Sequence, residues 1–495
     1  MPTRRVFSAA LLATLSFLFA ACGSGGGSGT GARASVPEGA SLVRAGVLAF
    51  VTVDSDLGSG QWKQLDELAH KFPARDQVIA KFERSLAKEG VDYSADVKPA
   101  LGPELDIAVA SGGTEDSTRA VALTKPDDPG KFKALVAKLN AKSDSGERAV
   151  YREVDGWYAL SDSQTAITAV LKGDSTALSD DESYKQAIGK LPSDTLVRAF
   201  VDGQGLNALV ERNASQAGSG LSTSSLGLDG LKYLAVAASA ESDGIRIRGA
   251  SSGGDLGGGD FASTLVGGVP GDAFALLSFR GEGTIGQLDK LKASPQVGAA
   301  LEQLQATLGV PVEQVLALLR GEVAFFARPG AVIPELTLAL EETDVSSALA
   351  TLDKIAAHLA AEAKAHVEAG TQGGHEVKTV DFGPFAIHYG AVDDKTVVLT
   401  SGLSGIADFG ASGDRLPDSA DFKEAKDAAG MPDSRGGFLY LDLKNALPLL
   451  EGFAGLSGHR LPSDTTENLG PLRSLLAWSE GSSDEQTFDA FLEIK

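Results

Sequence analysis

One cysteine, Cys22, stands in 495 residues. That scarcity excludes a disulfide framework, a cysteine-based zinc site and a redox thiol pair. Basic residues are also in short supply, 44 Lys+Arg against 66 Asp+Glu for a net charge of −22. Nucleic-acid binding needs concentrated Lys and Arg along phosphates, so nucleic acid is excluded as a partner. Aromatics make up 6%, apolar residues 43% and charged residues 22%. This is ordinary globular composition, and the length provides for two or three domains with real cores.

The first 21 residues read as an export signal. Arg4 and Arg5 precede an apolar, acid-free stretch over 6–21 that ends in small residues. The stretch is shorter than the roughly 20 residues of a permanent membrane span. Leu18-Phe19-Ala20-Ala21 leads directly into Cys22. This resembles the bacterial lipobox, with Phe19 where the pattern prefers Leu, Val or Ile. The resemblance implies that Cys22 is acylated, palmitate included, and becomes the mature N-terminus. Arg4-Arg5 with Val6-Phe7 also resembles the twin-arginine export signal, leaving that route and general export both open. Residues 22–36 form a Gly/Ser tether with a root-mean-square length of about 20 Å. The acidic body is repelled by anionic headgroups, so the lipid has to hold the chain at the outer face of the cell membrane. Several acyl chains make such attachment stable.

Behind the tether, one unit is written twice. Ala49–Asp54 answers to Ala275–Arg280, and LGPEL (101–105) to LRGEV (319–323). Ala122-Leu123 with Asp127 answers to Ala339-Leu340 with Asp344, and LSDDESYKQA (178–187) to LPDSADFKEA (416–425). Pro192 with Val201-Asp202 answers to Pro432 with Leu441-Asp442, and LKYLAVAASAESD (231–243) to LRSLLAWSEGSSD (472–484). The blocks keep their order, as a tandem repeat does. The expected division is 37–250 and 269–495, with a Gly-rich linker over 251–268. Within each unit, β-rich runs alternate with helical spacing such as Phe132, Leu135, Val136 and Leu139. Asp155-Gly156 is a two-residue hairpin turn. Closely spaced hairpins predict α+β units, each a mainly antiparallel sheet packed with helices. The paired units, the strand ending in Asp54, the LGPEL block and the lipobox resemble an actinobacterial secreted family, domain of unknown function 3352, over roughly 37–495. The resemblance implies an envelope location and the duplicated architecture, and brings no activity with it.

Motifs for chemistry are sparse. Gly281-Glu282-Gly283-Thr284-Ile285-Gly286 is a literal G-x-G-x-x-G, but the first unit has no counterpart and no parallel βαβ run surrounds it, so no cofactor is expected. His358, Glu362 and His366 lie at four-residue spacing on a helix expected over 349–369, the geometry of a two-His, one-carboxylate metal site. They also form the polar border of an amphipathic helix, and no metal is assigned. Asp202 and Asp442 recur at strand ends as helix N-caps. No nucleophile–base pair or catalytic constellation is present, so an enzyme is not expected. Two segments, 214–230 and 452–470, read as long loops in the same place in both units. Leu221, Leu226 and Leu228 in one, and Phe453, Leu456 and Leu461 in the other, are placed as gates. The expectation is a membrane-anchored, non-catalytic binding or scaffold protein with an envelope protein partner. The alternative is a carrier of lipid or another apolar ligand in a cavity between sheet and helices.

Overall fold

The structure, a computed structural model, describes residues 35–495 apart from 112–117, 144–147, 218–221, 224–225, 255–258, 283–284, 287–294, 331–332, 457–461 and 483. The first half contributes strands β1 (Ala49–Asp54), β2 (Glu104–Ala110), β3 (Arg119–Thr124), β4 (Val150–Val154), β5 (Trp157–Ser161), β6 (Val197–Asp202), β7 (Tyr233–Ala240) and β8 (Gly244–Ser252). Its helices are α1 (Gly60–Ala69), α2 (Arg75–Lys88), α3 (Pro129–Asn140), α4 (Gln164–Val170), α5 (Glu182–Gly189) and α6 (Gly203–Ala217). A short strand β9 (Phe261–Ala262) leads into the second half. There follow β10 (Ala275–Arg280), β11 (Glu322–Arg328), β12 (Glu335–Glu341), β13 (Val367–Gln372), β14 (His375–Asp381), β15 (Ala386–Ala391), β16 (Thr396–Thr400), β17 (Ser434–Arg435), β18 (Gly437–Asp442), β19 (Leu472–Gly481) and β20 (Glu485–Ile494). The helices of this half are α7 (Pro295–Leu308), α8 (Val312–Ala317), α9 (Val345–Ala363), α10 (Gly405–Asp408), α11 (Ala420–Ala429), α12 (Leu443–Leu456) and α13 (Ser463–Leu469).

Among the described residues eighteen strands pair into one antiparallel sheet, so the fold is α+β. Across the first half the spatial order is β4-β5-β3-β2-β1-β6-β7-β8. The second half continues from β20 through β19-β18-β10-β11-β12-β16-β15 and ends on the extra hairpin β14-β13. The halves therefore share one strand order, run in opposite directions from a common seam. Separate sheets joined by a linker were expected. Instead β8 and β20 join the halves edge to edge. The expected linker 251–268 is also partly built into the body, because β8 runs to Ser252 and β9 pairs with β17.

Alternation of side chains places one core on each face. On one face Phe50, Leu123, Trp157, Phe200 and Tyr233 pack under α4 and α5, and Leu276, Phe326, Phe438, Trp478 and Phe491 under α10 and α11. On the other, Leu65 of α1 meets Leu196 and Ile245, Phe132 of α3 meets Tyr158, and Leu352 of α9 meets Val323 and Leu340. Asp155 and Gly156 both adopt positive φ, 51° and 80°, as the β4–β5 hairpin requires.

At the seam, nine residue pairs run from Glu485↔Ser252 to Glu493↔Gly244, with Asp489↔Arg248 at their centre. Extending the matched blocks 231–243 and 472–484 makes Arg248 and Asp489 the same position of the two halves. The position that faces itself thus carries opposite charges, at 2.9 Å. Asp489 also lies 3.5 Å from the buried Arg246, whose guanidinium donates to Glu241 Oε1 and the Ala429 carbonyl, both at 2.9 Å, and lies over the Phe491 ring.

A matched pair of carboxylates anchors the chain entering each half. Glu104 accepts the Gly39 backbone N–H at 3.0 Å. Glu322 accepts the N–H groups of Thr264 and Leu265 at 2.7 and 3.2 Å, and the hydroxyls of Ser263, Thr264 and Ser278. The first half adds Asp106, fully buried, with Thr52 Oγ1 donating to Oδ1 at 2.7 Å and no hydrogen-bond partner at Oδ2. Burial, and after it the neighbouring Glu104, pushes its carboxyl well above the ordinary carboxylate range.

Two outcomes follow from these contacts. Asp489→Ala removes the carboxylate that faces both Arg246 and Arg248, leaving buried Arg246 with Glu241 alone, and is expected to cost about 3 kcal/mol in urea unfolding, whereas Arg248→Ala, at a partly exposed site, is expected to cost about 1 kcal/mol or less. Equal losses would contradict the seam assignment. A carboxyl whose folded pKa is raised favours the folded state at low pH, and that contribution is lost as pH rises toward the raised value. Asp106→Asn is therefore expected to gain melting temperature relative to the parent as pH rises above the ordinary carboxylate range.

Candidate functional site

Several residues singled out in the sequence fall outside the described residues: Cys22, Arg4, Arg5, most of the tether, Leu221, Leu461, and Gly283-Thr284 of the G-x-G-x-x-G. Gly281 follows β10, whose neighbours β11 and β18 are both antiparallel, so no parallel βαβ frame surrounds that motif.

The expected helix over 349–369 ends early. Lys364 adopts the left-handed conformation, φ 55°, directly after α9, and 367–372 becomes the edge strand β13. His358 and Glu362 remain helical, while His366 lies past the helix end. His358 Nε2 sits 3.1 Å from the Ala306 carbonyl oxygen. Among the described residues no group of three His, Cys, Asp or Glu side chains is placed to hold a metal ion. The Ala/Glu/Lys/His composition favours helix, but pairing with β14 through the Gly373-Gly374 turn overrides propensity.

The expected long loops are also shorter. Helix α6 extends to Ala217, and α12 runs through Gly452 to Leu456, with Phe453 and Leu456 in its last turn. Helix α13 occupies much of the remainder. Each Gly costs a helix about 1 kcal/mol, which a Gly/Ser-based reading takes as a break and the structure accommodates. Leu226 and Leu228 lie in a turn anchored on the Thr223 carbonyl, with Leu226 exposed and Leu228 half-buried.

Convergent polar groups appear elsewhere, where β18, β19 and β20 end beside α11 and the start of α12. Asp442 closes β18 and caps α12, accepting the Asn445 N–H at 3.0 Å and its side-chain amide at 2.6 Å. Asp202 does the same for α6 through the Gly205 N–H at 2.6 Å. Both caps match the sequence reading. Around Asp442 opens a cavity of about 260 Å³ lined by Asp421, Glu424, Tyr440, Lys444, Arg473, Ser474, Glu493 and Lys495. Lys444 pairs with Asp421 at 3.2 Å, Lys495 with Glu424 and with Glu493 at 2.8 Å, and Ser474 donates to Glu493 at 2.8 Å. Burial raises the Asp442 carboxyl against the lowering effect of the Asn445 bonds. Burial, then the Asp442, Asp421 and Glu493 carboxylates, raises the Tyr440 hydroxyl.

The counterparts of these residues in the first half, read from the matched blocks and strands, are Ser183, Gln186, Phe200, Gln204, Lys232, Tyr233 and Ser252. Only Asp442/Asp202 and Arg473/Lys232 keep their chemistry. The sequence reading missed the cavity because its residues are scattered over 421–495. Charge that differs between otherwise matched blocks was the available signal. A second, more open cavity of about 330 Å³ lies by α7 and is lined by Glu302, Gln305, Ala306, Gly309, Val310 and Pro311.

No curated protein matches the chain. Among solved structures, crystal forms IV and I of the protein TP0453 resemble it at 10 and 12% identity, with TM-scores of 0.26 and 0.25. They cover 47% of this chain and 81 and 79% of that one, a likeness too low to carry an argument. The family described as protein of unknown function (DUF3352) matches residues 159–494, from within β5 to the end of β20. By that match, which crosses the seam and includes every residue of the polar cavity except Lys495, this chain belongs to the DUF3352 family.

Proposed function

We propose that the chain is a membrane-anchored extracytoplasmic lipoprotein of the bacterial cell envelope, held by acylated Cys22, that acts as a non-catalytic binding and scaffold protein. The observation that carries the scaffold role is the single antiparallel sheet spanning both halves. Helix-covered cores on both faces make it one continuous platform behind the Gly/Ser-rich segment 22–36. Anchoring rests on the signal-like segment and on Cys22 at its end. Among the described residues no helix is long and apolar enough to cross a membrane. The cavity around Asp442 has a charged lining, which supports polar contacts over apolar cargo at that place.

The test is Cys22→Ala expressed in a bacterial host that acylates lipoproteins. The parent chain is expected to incorporate labelled palmitate and partition with membranes. The variant is expected to lose the label and appear in the soluble extracytoplasmic fraction. A variant that stays membrane-bound would overturn lipid anchoring.

A further inference from the structure

Among the described residues, two donors in the cavity of the second half have no partner. Tyr440 is 1% exposed, lines the cavity, and its hydroxyl makes no hydrogen bond among the described residues. Arg473 lines the same cavity and enters no ion pair or hydrogen bond among the described residues. The Tyr440 hydroxyl is not among the fully buried unpaired atoms, as that of Tyr184 is, so it opens to the cavity and is free to donate there. The lysines of the cavity are already engaged, Lys444 by Asp421 and Lys495 by Glu424 and Glu493. The donors left over suit an oxygen acceptor, and a guanidinium suits a carboxylate best. A bare anion would also face the cavity's carboxylates. Asp442, bonded once at each oxygen by Asn445, retains lone pairs for a further donor. At about 260 Å³ the space lies below the roughly 300–1,000 Å³ of sites for drug-sized ligands.

We propose that this cavity binds a small zwitterion of the amino-acid or dipeptide class, its carboxylate taken by Arg473 and the Tyr440 hydroxyl and its ammonium by Asp442. The equivalent place in the first half lacks the site, because Phe200 stands where Tyr440 does and Gln204 where Lys444 does. The inference goes beyond the scaffold reading and is independent of Cys22 acylation.

The experiment is isothermal titration calorimetry on the full chain in detergent, with the twenty common L-amino acids and glycylglycine as probes and acetate and methylamine as single-charge controls. At least one zwitterion is expected to bind, and acetate and methylamine to bind at least about tenfold more weakly. Tyr440→Phe, which installs the residue the first half already packs, and Arg473→Gln are each expected to weaken binding about tenfold or more while leaving the melting temperature of the free protein within a few degrees. No binding by any probe at millimolar concentration would overturn the site. Acetate binding as tightly as the zwitterion would overturn the ligand class. Affinity unchanged by both substitutions would overturn the assignment to this cavity.

Discussion

The pairing of β8 with β20 is the constraint on which the rest of the structure depends. Without it each half would end on a nine- or ten-residue edge strand with unpaired backbone groups, a template for aggregation. With it, two sets of eight equivalent strands become one sheet whose edges lie at β4 and at the added hairpin of β13 and β14. A local twofold relates the halves across the seam, so one position must face its own equivalent. Two arginines or two aspartates there would repel across a partly buried gap. Arg248 against Asp489 converts that repulsion into attraction and makes the joining of unlike halves specific. Arg246, packed on Phe491 and bonded to the Ala429 carbonyl, ties the same seam to α11.

Equivalent halves have then diverged by moving polar groups while keeping the packing. In the first half Tyr184 of α5 meets Phe200 of β6 edge-on, with centroids 5.1 Å apart. In the second, Phe422 of α11 meets Tyr440 of β18 edge-on at 5.0 Å. The aromatic pair is conserved in shape, and its hydroxyl has crossed from helix to strand. On the helix the hydroxyl is enclosed near Asp106 without a partner. On the strand it belongs to the charged cavity at the ends of β18–β20. One methodical change of position thus separates a sealed core from an open polar site, at little cost to the ring contacts.

Local chemistry was legible wherever a contact lies close in sequence. The Asp155-Gly156 turn demands positive φ at both residues, and the strands on either side follow from it. Asp202 and Asp442 cap the helices that begin beside them, as short polar side chains at strand ends do. The stripe Phe132, Leu135, Val136 and Leu139 marks the face of α3 that packs on Tyr158. Legibility failed where tertiary pairing competes with propensity. Lys364, Ala365, Glu368 and Ala369 are good helix formers, yet the hairpin with β14 draws 367–372 into the sheet. Gly452 and Gly455 read as breaks, yet α12 continues through them.

By itself the amino-acid sequence determined the α+β class, the repeated order of its blocks, the hairpin and cap positions, and the acidic balance that argues against nucleic acid. Each depends on spacing or composition within a few tens of residues, or on similarity between segments, and both are present in the chain before it folds. Tertiary structure alone decided that the halves share one sheet, that His366 leaves the helix of His358 and Glu362, and that Tyr440, Asp442 and Arg473 line one cavity. Strand partners 241 residues apart, such as Arg248 and Asp489, carry no local signal. Their register is selected by which edges remain unpaired once every other strand has found its neighbour.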